Sequence, residues 1–203
     1  MTLILALDTS TSACTAALIG ADGTVHARRD SLIGRGHAEH LAPLIAEMLE
    51  GHVPREVLVG VGPGSFTGLR IGIAAAHGLA IGWDVPVSGM NSLALIAAGV
   101  DGDAPVAVAV LGGHGELFVQ SFDGKRRAVS DIVNLPPAEA AAVVTSDLVV
   151  GSGAAALVAA RGHGEGIDLL PSAANAMRLP GAMRGLRASP VYVRAPDAKP
   201  KAA

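Results

Sequence analysis

The chain has 203 residues, half of them hydrophobic and only 2% aromatic, with a formal net charge of −3. This length buries one sizeable core or two small ones and the composition excludes a disordered polymer, while the acidic balance argues against a stand-alone nucleic-acid binder, which carries a strong basic face. Cys14 is the single cysteine, so an internal disulfide is excluded, and the residue reads as a small core side chain with no base fixed beside it.

Basic residues gather toward the end, where residues 161–203 carry seven Lys/Arg against three Asp/Glu, a pattern that reads as a solvated tail or as a contact for RNA or an acidic partner. At the start, Met1–Ile4 lacks a basic region and Asp8 interrupts the apolar run before a signal peptide can form. The apolar run Ile71–Trp83 contains His77 and is shorter than the roughly 20 residues a membrane span needs. The expectation is a cytoplasmic protein with no membrane contact.

In chain order, Leu3–Asp8 reads as a buried strand, Thr9–Ser12 as a turn and Cys14–Ile19 as a second strand, with Asp22-Gly23 as a hairpin signal into a third strand over Thr24–Arg29. A helix is expected over His37–Leu49, with Leu41, Leu44, Ile45, Met48 and Leu49 on one stripe and Gly51 as its stop. Glu56–Val61 reads as a strand, followed by a glycine-rich loop and a helix running to Trp83. Pro86–Gly89 suits a short strand and Ser92–Ala98 a helix. The breaker cluster Asp101-Gly102-Asp103-Ala104-Pro105 then marks a lobe boundary, giving expected domains at 1–103 and 104–203. Beyond it, strands are expected over Val106–Leu111 and Leu117–Phe122, helices over Pro137–Val144 and Ala154–Ala160, and a strand over Leu148–Val150 between them. The opening pattern therefore recurs. Strand, strand, strand, helix, strand, helix, occurring twice, is the layout of the two-lobed α/β actin/Hsp70/sugar-kinase (ASKHA) fold, here with a reduced second lobe and a ligand cleft between lobes.

The loop Gly62-Pro63-Gly64-Ser65-Phe66-Thr67-Gly68-Leu69-Arg70 organises the chain. It ends in Gly68-Leu69-Arg70, whereas a phosphate-cradling Walker loop ends in Gly-Lys-Ser/Thr, and its glycines are one residue too widely spaced for a dinucleotide fingerprint. Ser65 is flanked at two residues by Pro63 and Thr67, where a nucleophile elbow has glycines. A packed strand-to-helix turn with no chemistry is the alternative reading.

Several residues carry two readings. Asp8, at the tip of the first strand, either faces the cleft to orient a metal-bound water or phosphate, or bonds the N–H groups of its own Thr9-Ser10 turn. His37 and His40 share a helix face at a spacing that can grip a metal, but no third ligand is fixed, so no metal site is assigned. Arg70 sits in the first turn of its helix, where the dipole disfavours a cation, and reads either as solvated or as reaching a partner. Arg70, His77 and Asp84 fall on one ridge of an otherwise apolar or glycine helix, so this helix and His37–Leu49 are expected to meet another chain, through Leu41, Ile45 and Met48 on one and Arg70, Gly72, Ala76 and His77 on the other, the alternative being an internal helix buried by the second lobe.

The run Gly62–Gly72 resembles the signature of the TsaB (YeaZ-type) family, which takes part in making N6-threonylcarbamoyladenosine (t6A) in tRNA. Leu5–Ser10, His37–Leu41 and Pro190–Arg194 resemble the same family in the same order. The resemblance implies a non-catalytic subunit that binds and supports a TsaD-type threonylcarbamoyl transferase, alongside a TsaE-type ATPase, with tRNA as an indirect partner and a homodimer when alone. The alternative is a self-sufficient ATP-dependent phosphotransferase or ATPase of the same superfold. By analogy with that superfold, Asp8, Thr9, Ser10, Gly62 and Gly64 line one side of a nucleotide cleft and Gly112, Gly151 and Gly153 the other. ATP or ADP, in the cleft or at the subunit interface, is the candidate cofactor. Where the family has Asp-Ala-Arg in the second-lobe turn, this chain has Leu111-Gly112-Gly113, so no catalytic residue is assigned.

Overall fold

The computed structural model describes residues 2–193. Leu3–Asp8 (β1), Ala13–Gly20 (β2) and Val25–Leu32 (β3) form an antiparallel meander, followed by His37–Leu49 (α1), Glu56–Gly60 (β4), Phe66–Trp83 (α2) and Val87–Met90 (β5). β4 adds parallel to β1 and β5 parallel to β4, giving the order β3-β2-β1-β4-β5. After a short helix, Ser92–Ala97 (α3), the sequence of elements repeats as Val106–Leu111 (β6), Leu117–Phe122 (β7), Val133–Leu135 (β8), Pro137–Val143 (α4), Leu148–Val150 (β9), Ala154–Arg161 (α5) and Glu165–Ile167 (β10). The second sheet, β10-β9-β6-β7-β8, has the connectivity of the first with shorter outer strands.

Side-chain alternation along β1 sets the layers. Leu3, Leu5 and Leu7 point to the face packed by α1 and α2, whose Leu41, Ile45, Met48, Ile73 and Ala76 complete that core. Ile4 and Ala6 point the other way, into a core shared with α3 and with Val106, Val108, Val110 and Phe122 of the second sheet. All six residues of α3 are buried, because the helix is covered on both sides. A third core lies under α4 and α5. The molecule is thus a stack of helix pair, sheet, α3, sheet and helix pair. Among the described residues no helix is long and apolar enough to cross a membrane.

The connection from α3 to β6 is pinned from the second lobe. Arg126 is nearly buried and donates to the carbonyls of Val100 (3.0 Å), Gly102 (2.7 Å) and Ala104 (2.8 Å). These bonds satisfy carbonyls that the irregular linker cannot pair for itself.

Residues 172–193 leave the second sheet and return to the first, which differs from an assignment of all of 104–203 to one lobe. Ala173 donates its N–H to Thr15 Oγ1 (2.8 Å), Leu186 bridges to Gly89 at the open edge of β5, and Val191 donates to the carbonyl of Val61 (2.8 Å). The open edge of β5 supplies the unpaired backbone groups that this segment covers, and the Thr15 hydroxyl of the inner strand β2 holds the segment on the sheet face.

Candidate functional site

Between the two lobes lies a cleft of about 730 Å³. The first lobe contributes Ser10, Thr11 and Ser12 from the β1–β2 turn and Gly64, Ser65 and Phe66 from the glycine-rich loop. Across from them stand Leu111, Gly112, Gly113 and His114 from the β6–β7 turn, with Phe118 and Ser152. Val191, Tyr192 and Val193 close one side.

The glycine-rich loop is held against the β1–β2 turn by contacts that only glycine permits. A Cβ on Gly64 would stand 2.2 Å from the carbonyl oxygen of Ser10, and one on Gly68 2.0 Å from that of Thr9. Thr9 Oγ1 donates to the carbonyl of Gly68 (2.7 Å), and Ser65 caps α2 by accepting from the Gly68 N–H (3.2 Å). α2 therefore starts flush against the end of β1.

Asp8 is completely buried and faces away from the cleft, which corrects the cleft-facing reading. Its Oδ1 accepts from the Ser10 N–H and hydroxyl (both 2.7 Å), and its Oδ2 accepts from Ser92 Oγ (2.6 Å). Ser92 Oγ in turn accepts from the N–H of Gly62 (3.0 Å). The carboxylate thereby ties the β1 tip, the start of α3 and the glycine-rich loop into one network. The physical reason is alternation: Asp8 continues the Ile4–Ala6 face, which looks toward α3. Burial pushes its pKa above the usual carboxylate value, outweighing the hydrogen bonds from Ser92 and Ser10 that pull it down. Asp8 consequently binds its proton more tightly in the folded chain than in the unfolded one. Its stabilising contribution is full below the unfolded value of about 3.9 and is lost as pH rises through the folded value. Denaturant midpoints of wild type and Asp8→Asn, compared from pH 4 to pH 8, should show the wild type losing ground to the variant as pH rises; a constant or opposite difference would refute the assignment.

Of the other residues expected in the cleft, Ser10, Gly64 and Gly112 line it, whereas Thr9, Gly62, Gly151 and Gly153 lie behind its wall. Gly151, at φ 111°, and Gly153 allow the β9–α5 turn to approach Ala109: a Cβ on Gly151 would meet the Ala109 carbonyl oxygen at 2.3 Å. Their role is packing. Ser152 between them does reach the cleft, and its Oγ accepts from the N–H of Leu111 (3.1 Å).

The partner-facing residues divide in the same way. Leu41, Ile45 and Met48 of α1 and Gly72 and Ala76 of α2 are buried in the chain's own core, so they are not contact residues. A Cβ on Gly72 would stand 2.3 Å from Thr9 Oγ1, which places this glycine under the helix rather than on its surface. Arg70 and His77 are exposed as the helical ridge required. Arg70 stacks over the Phe66 ring at 3.6 Å and its Nε donates to Tyr192 Oη (3.2 Å), while His77 Nε2 meets the carbonyl of Ala188 at 2.9 Å. Beyond its first turn, where Phe66 and Thr67 are also exposed, the outward face of α2 otherwise consists of Ala74, Gly78, Ile81 and Gly82, with Ile81 81% exposed.

His37 is buried against the carbonyl of Ala13 (3.2 Å) and His40 is exposed, so the two do not converge on a shared ligand. No cluster of three metal-ligating side chains occurs among the described residues. Cys14 is buried in the α1–α2 core, where burial and the nearby Asp8 push its thiol up to about 11, out of reach as a nucleophile. Sequence reasoning missed Phe66, Phe118 and Tyr192 in the cleft. Their signal was scarcity, since aromatic residues are so few in this chain that each invites a question. The C-terminal Arg194, Lys199 and Lys201 lie outside the described residues.

Two lobes of the same β-β-β-α-β-α-β order around a cleft define a protein of the actin/Hsp70/sugar-kinase class. A family model described as "TsaD: tRNA N6-adenosine threonylcarbamoyltransferase" matches residues 31–166. The tRNA threonylcarbamoyladenosine biosynthesis protein TsaB of Escherichia coli (strain K12) is 39% identical over 123 residues, which cover 57% of this chain and 52% of that protein. The chain thus spans about half the length of that curated relative. Among solved structures, a Pseudomonas aeruginosa protein described as similar to peptidase YEAZ is 30% identical with a TM-score of 0.81, over 96% of this chain and 100% of that one. YeaZ from Pseudomonas aeruginosa is 29% identical with a TM-score of 0.79, over 94% and 100%. The chain belongs to this family, in its TsaB (YeaZ-type) branch.

Proposed function

We propose that this chain is a non-catalytic subunit of the machinery that makes t6A in tRNA, and that it binds and supports a TsaD-type catalytic subunit through the outward face of α2. The observation that carries the reading is that face. Gly78 and Gly82 have nothing within 4 Å of where a Cβ would stand, yet each glycine inside a helix costs about 0.5–1 kcal/mol relative to alanine. Together with Ala74 and the exposed Ile81 they form a smooth apolar surface onto which another helix can pack closely. The same face would pair two copies in the absence of the catalytic subunit.

The cleft supports the non-catalytic half of the reading. Asp8 is committed to Ser10 and Ser92, and the opposite turn offers Gly112 and Gly113 where a second acid would be needed to hold a metal–phosphate group. A TsaE-type ATPase completes the assembly, tRNA is held mainly by the other subunits, and the cytoplasm is the compartment. The lobe break falls at 103–104, in the linker that Arg126 pins.

Incubating the pure chain with ATP and magnesium tests this directly. The expected result is no turnover above a no-protein control. Sustained ATP hydrolysis that co-purifies with the chain and saturates with ATP would favour the self-sufficient ATPase instead.

A further inference from the structure

We infer that a second pocket, on the side of the first sheet away from α1 and α2, binds a free α-amino acid in its zwitterionic form. The pocket has a volume of about 310 Å³ and lies where the returning C-terminal segment crosses β1, β4 and β5. Ile4, Glu56, Leu58 and Ser88 line it from the sheet, and Met177 and Arg184 from the returning segment. Strand alternation explains how a charge comes to be there. Glu56 shares the face of Leu58 two residues on, and Ser88 stands beside Leu58 in the parallel β4–β5 ladder, so both point toward the returning segment. That face is otherwise apolar, with Ile4 and Leu58 buried in the core shared with the second sheet.

Three polar groups in this pocket are held ready and left unused by the fold. The Glu56 carboxylate and the Ser88 hydroxyl are half-buried, and neither has a hydrogen-bond or ion-pair partner among the described residues. A half-buried carboxylate of this kind gives up part of its hydration and gains nothing from the protein in exchange. Arg184, also half-buried, donates from Nη1 to Met177 Sδ (2.9 Å). A thioether is a weak acceptor, so this contact aims the guanidinium while its remaining N–H groups stay available to a ligand. Glu56 and Arg184 form no ion pair with each other, and the pocket therefore presents an anion and a cation separately. A simple anion entering it would meet Glu56, and a simple cation would meet Arg184. A molecule carrying both signs satisfies both: its carboxylate takes paired N–H groups of Arg184, its ammonium faces Glu56, and Ser88 bonds either end. Ile4, Leu58 and Met177 receive an aliphatic side chain. The volume stands at the lower end of small-molecule sites, about 300–1,000 Å³, which suits a ligand of amino-acid size.

The pocket shares no lining residue with the cleft and lies on the opposite side of the sheet from α2, so its failure leaves the proposed subunit role standing. Titration calorimetry of the full chain with L-alanine, L-valine and L-leucine tests it, alongside isovalerate and isobutylamine, which each carry one of the two charges. At least one of the amino acids should saturate the protein with a Kd of about 1 mM or tighter, and both single-charge compounds should bind at least about tenfold more weakly. Glu56→Gln and Arg184→Gln should each weaken the best amino acid by about tenfold, the scale of a lost charge-assisted hydrogen bond. Glu56 has no partner in the fold to lose, so its variant should melt as wild type does even where Arg184→Gln lowers the melting temperature. Failure of all three amino acids to saturate, a single-charge compound binding as tightly as the best of them, or unchanged affinity in Glu56→Gln would each overturn the assignment.

Discussion

Gly68→Ala should destabilise this protein by about 3 to 5 kcal/mol, the range in which steric insertion into a closed contact becomes exceptional among point changes. The added Cβ would stand 2.0 Å from the carbonyl oxygen of Thr9, a backbone atom that cannot rotate aside. Relief requires α2 to lift from the end of β1, which breaks the Thr9–Gly68 hydrogen bond and loosens Leu69, one of the largest fully buried side chains. At roughly 2–4 °C per kcal/mol for a chain of this size, the melting temperature should fall by about 6 to 20 °C. A Gly68→Ala protein that melts within 2 °C (about 1 kcal/mol or less) of wild type would show that the loop and strand are not in contact as described.

Gly78→Leu should do the opposite to the fold and the reverse of neutral to the partner. With nothing within 4 Å of its Cβ position, the new side chain meets open solvent, and removing a helical glycine should stabilise the isolated chain by about 0.5–1 kcal/mol. Against a docked helix the same side chain overpacks the contact by about 1–3 kcal/mol, and about 1.4 kcal/mol is tenfold in affinity. Ile81→Arg should act in the same direction by placing a charge on the most exposed apolar residue of the helix. Sedimentation of each variant with the TsaD-type subunit reads the affinity, and thermal melting of the isolated chain confirms that folding is intact. Stability rising while affinity falls is a combination that a wholly internal helix cannot produce.

The inner and outer glycines of α2 also show where sequence reasoning stops. The ridge of Arg70 and His77 was legible because two polar residues break an apolar run at helical spacing. Every other position being apolar or glycine, the 100° projection carried no contrast to say which small residues lay beneath the helix. Gly72 and Ala76 could be placed inside only once α2 was laid against Leu7 and Thr9. α1 was bounded at His37 and Leu49 by its stripe and by Gly51, but the buried stripe of Leu41, Ile45 and Met48 reports packing on the chain's own sheet before it reports any partner.

Strands were legible where β-branched and aliphatic residues run together, as in β1, β4 and β6, because both faces of these strands are covered. β8 and β10 escaped for the converse reason. Each is three residues long, and β10 is fully exposed with Gly166 at its centre, so pairing with a neighbour defines it rather than any pattern of its own. Asp8 was placed at the end of β1 correctly, but its role depended on Ser92, 84 residues away, which no local pattern announces. Tyr192 reaches the cleft only because the chain crosses back over β5 through the Gly89–Leu186 bridge, and its bond with Arg70 joins residues more than a hundred positions apart.

The most direct test of the proposed role is the rate of t6A formation on tRNA by the TsaD-type subunit and its ATPase, titrated with this chain and with Ile81→Arg. The account predicts negligible product without the chain, a rate that climbs to a plateau with wild type, and at least tenfold more Ile81→Arg to reach half that plateau. Full-rate synthesis in the chain's absence, or superimposable titrations of wild type and Ile81→Arg, would contradict it.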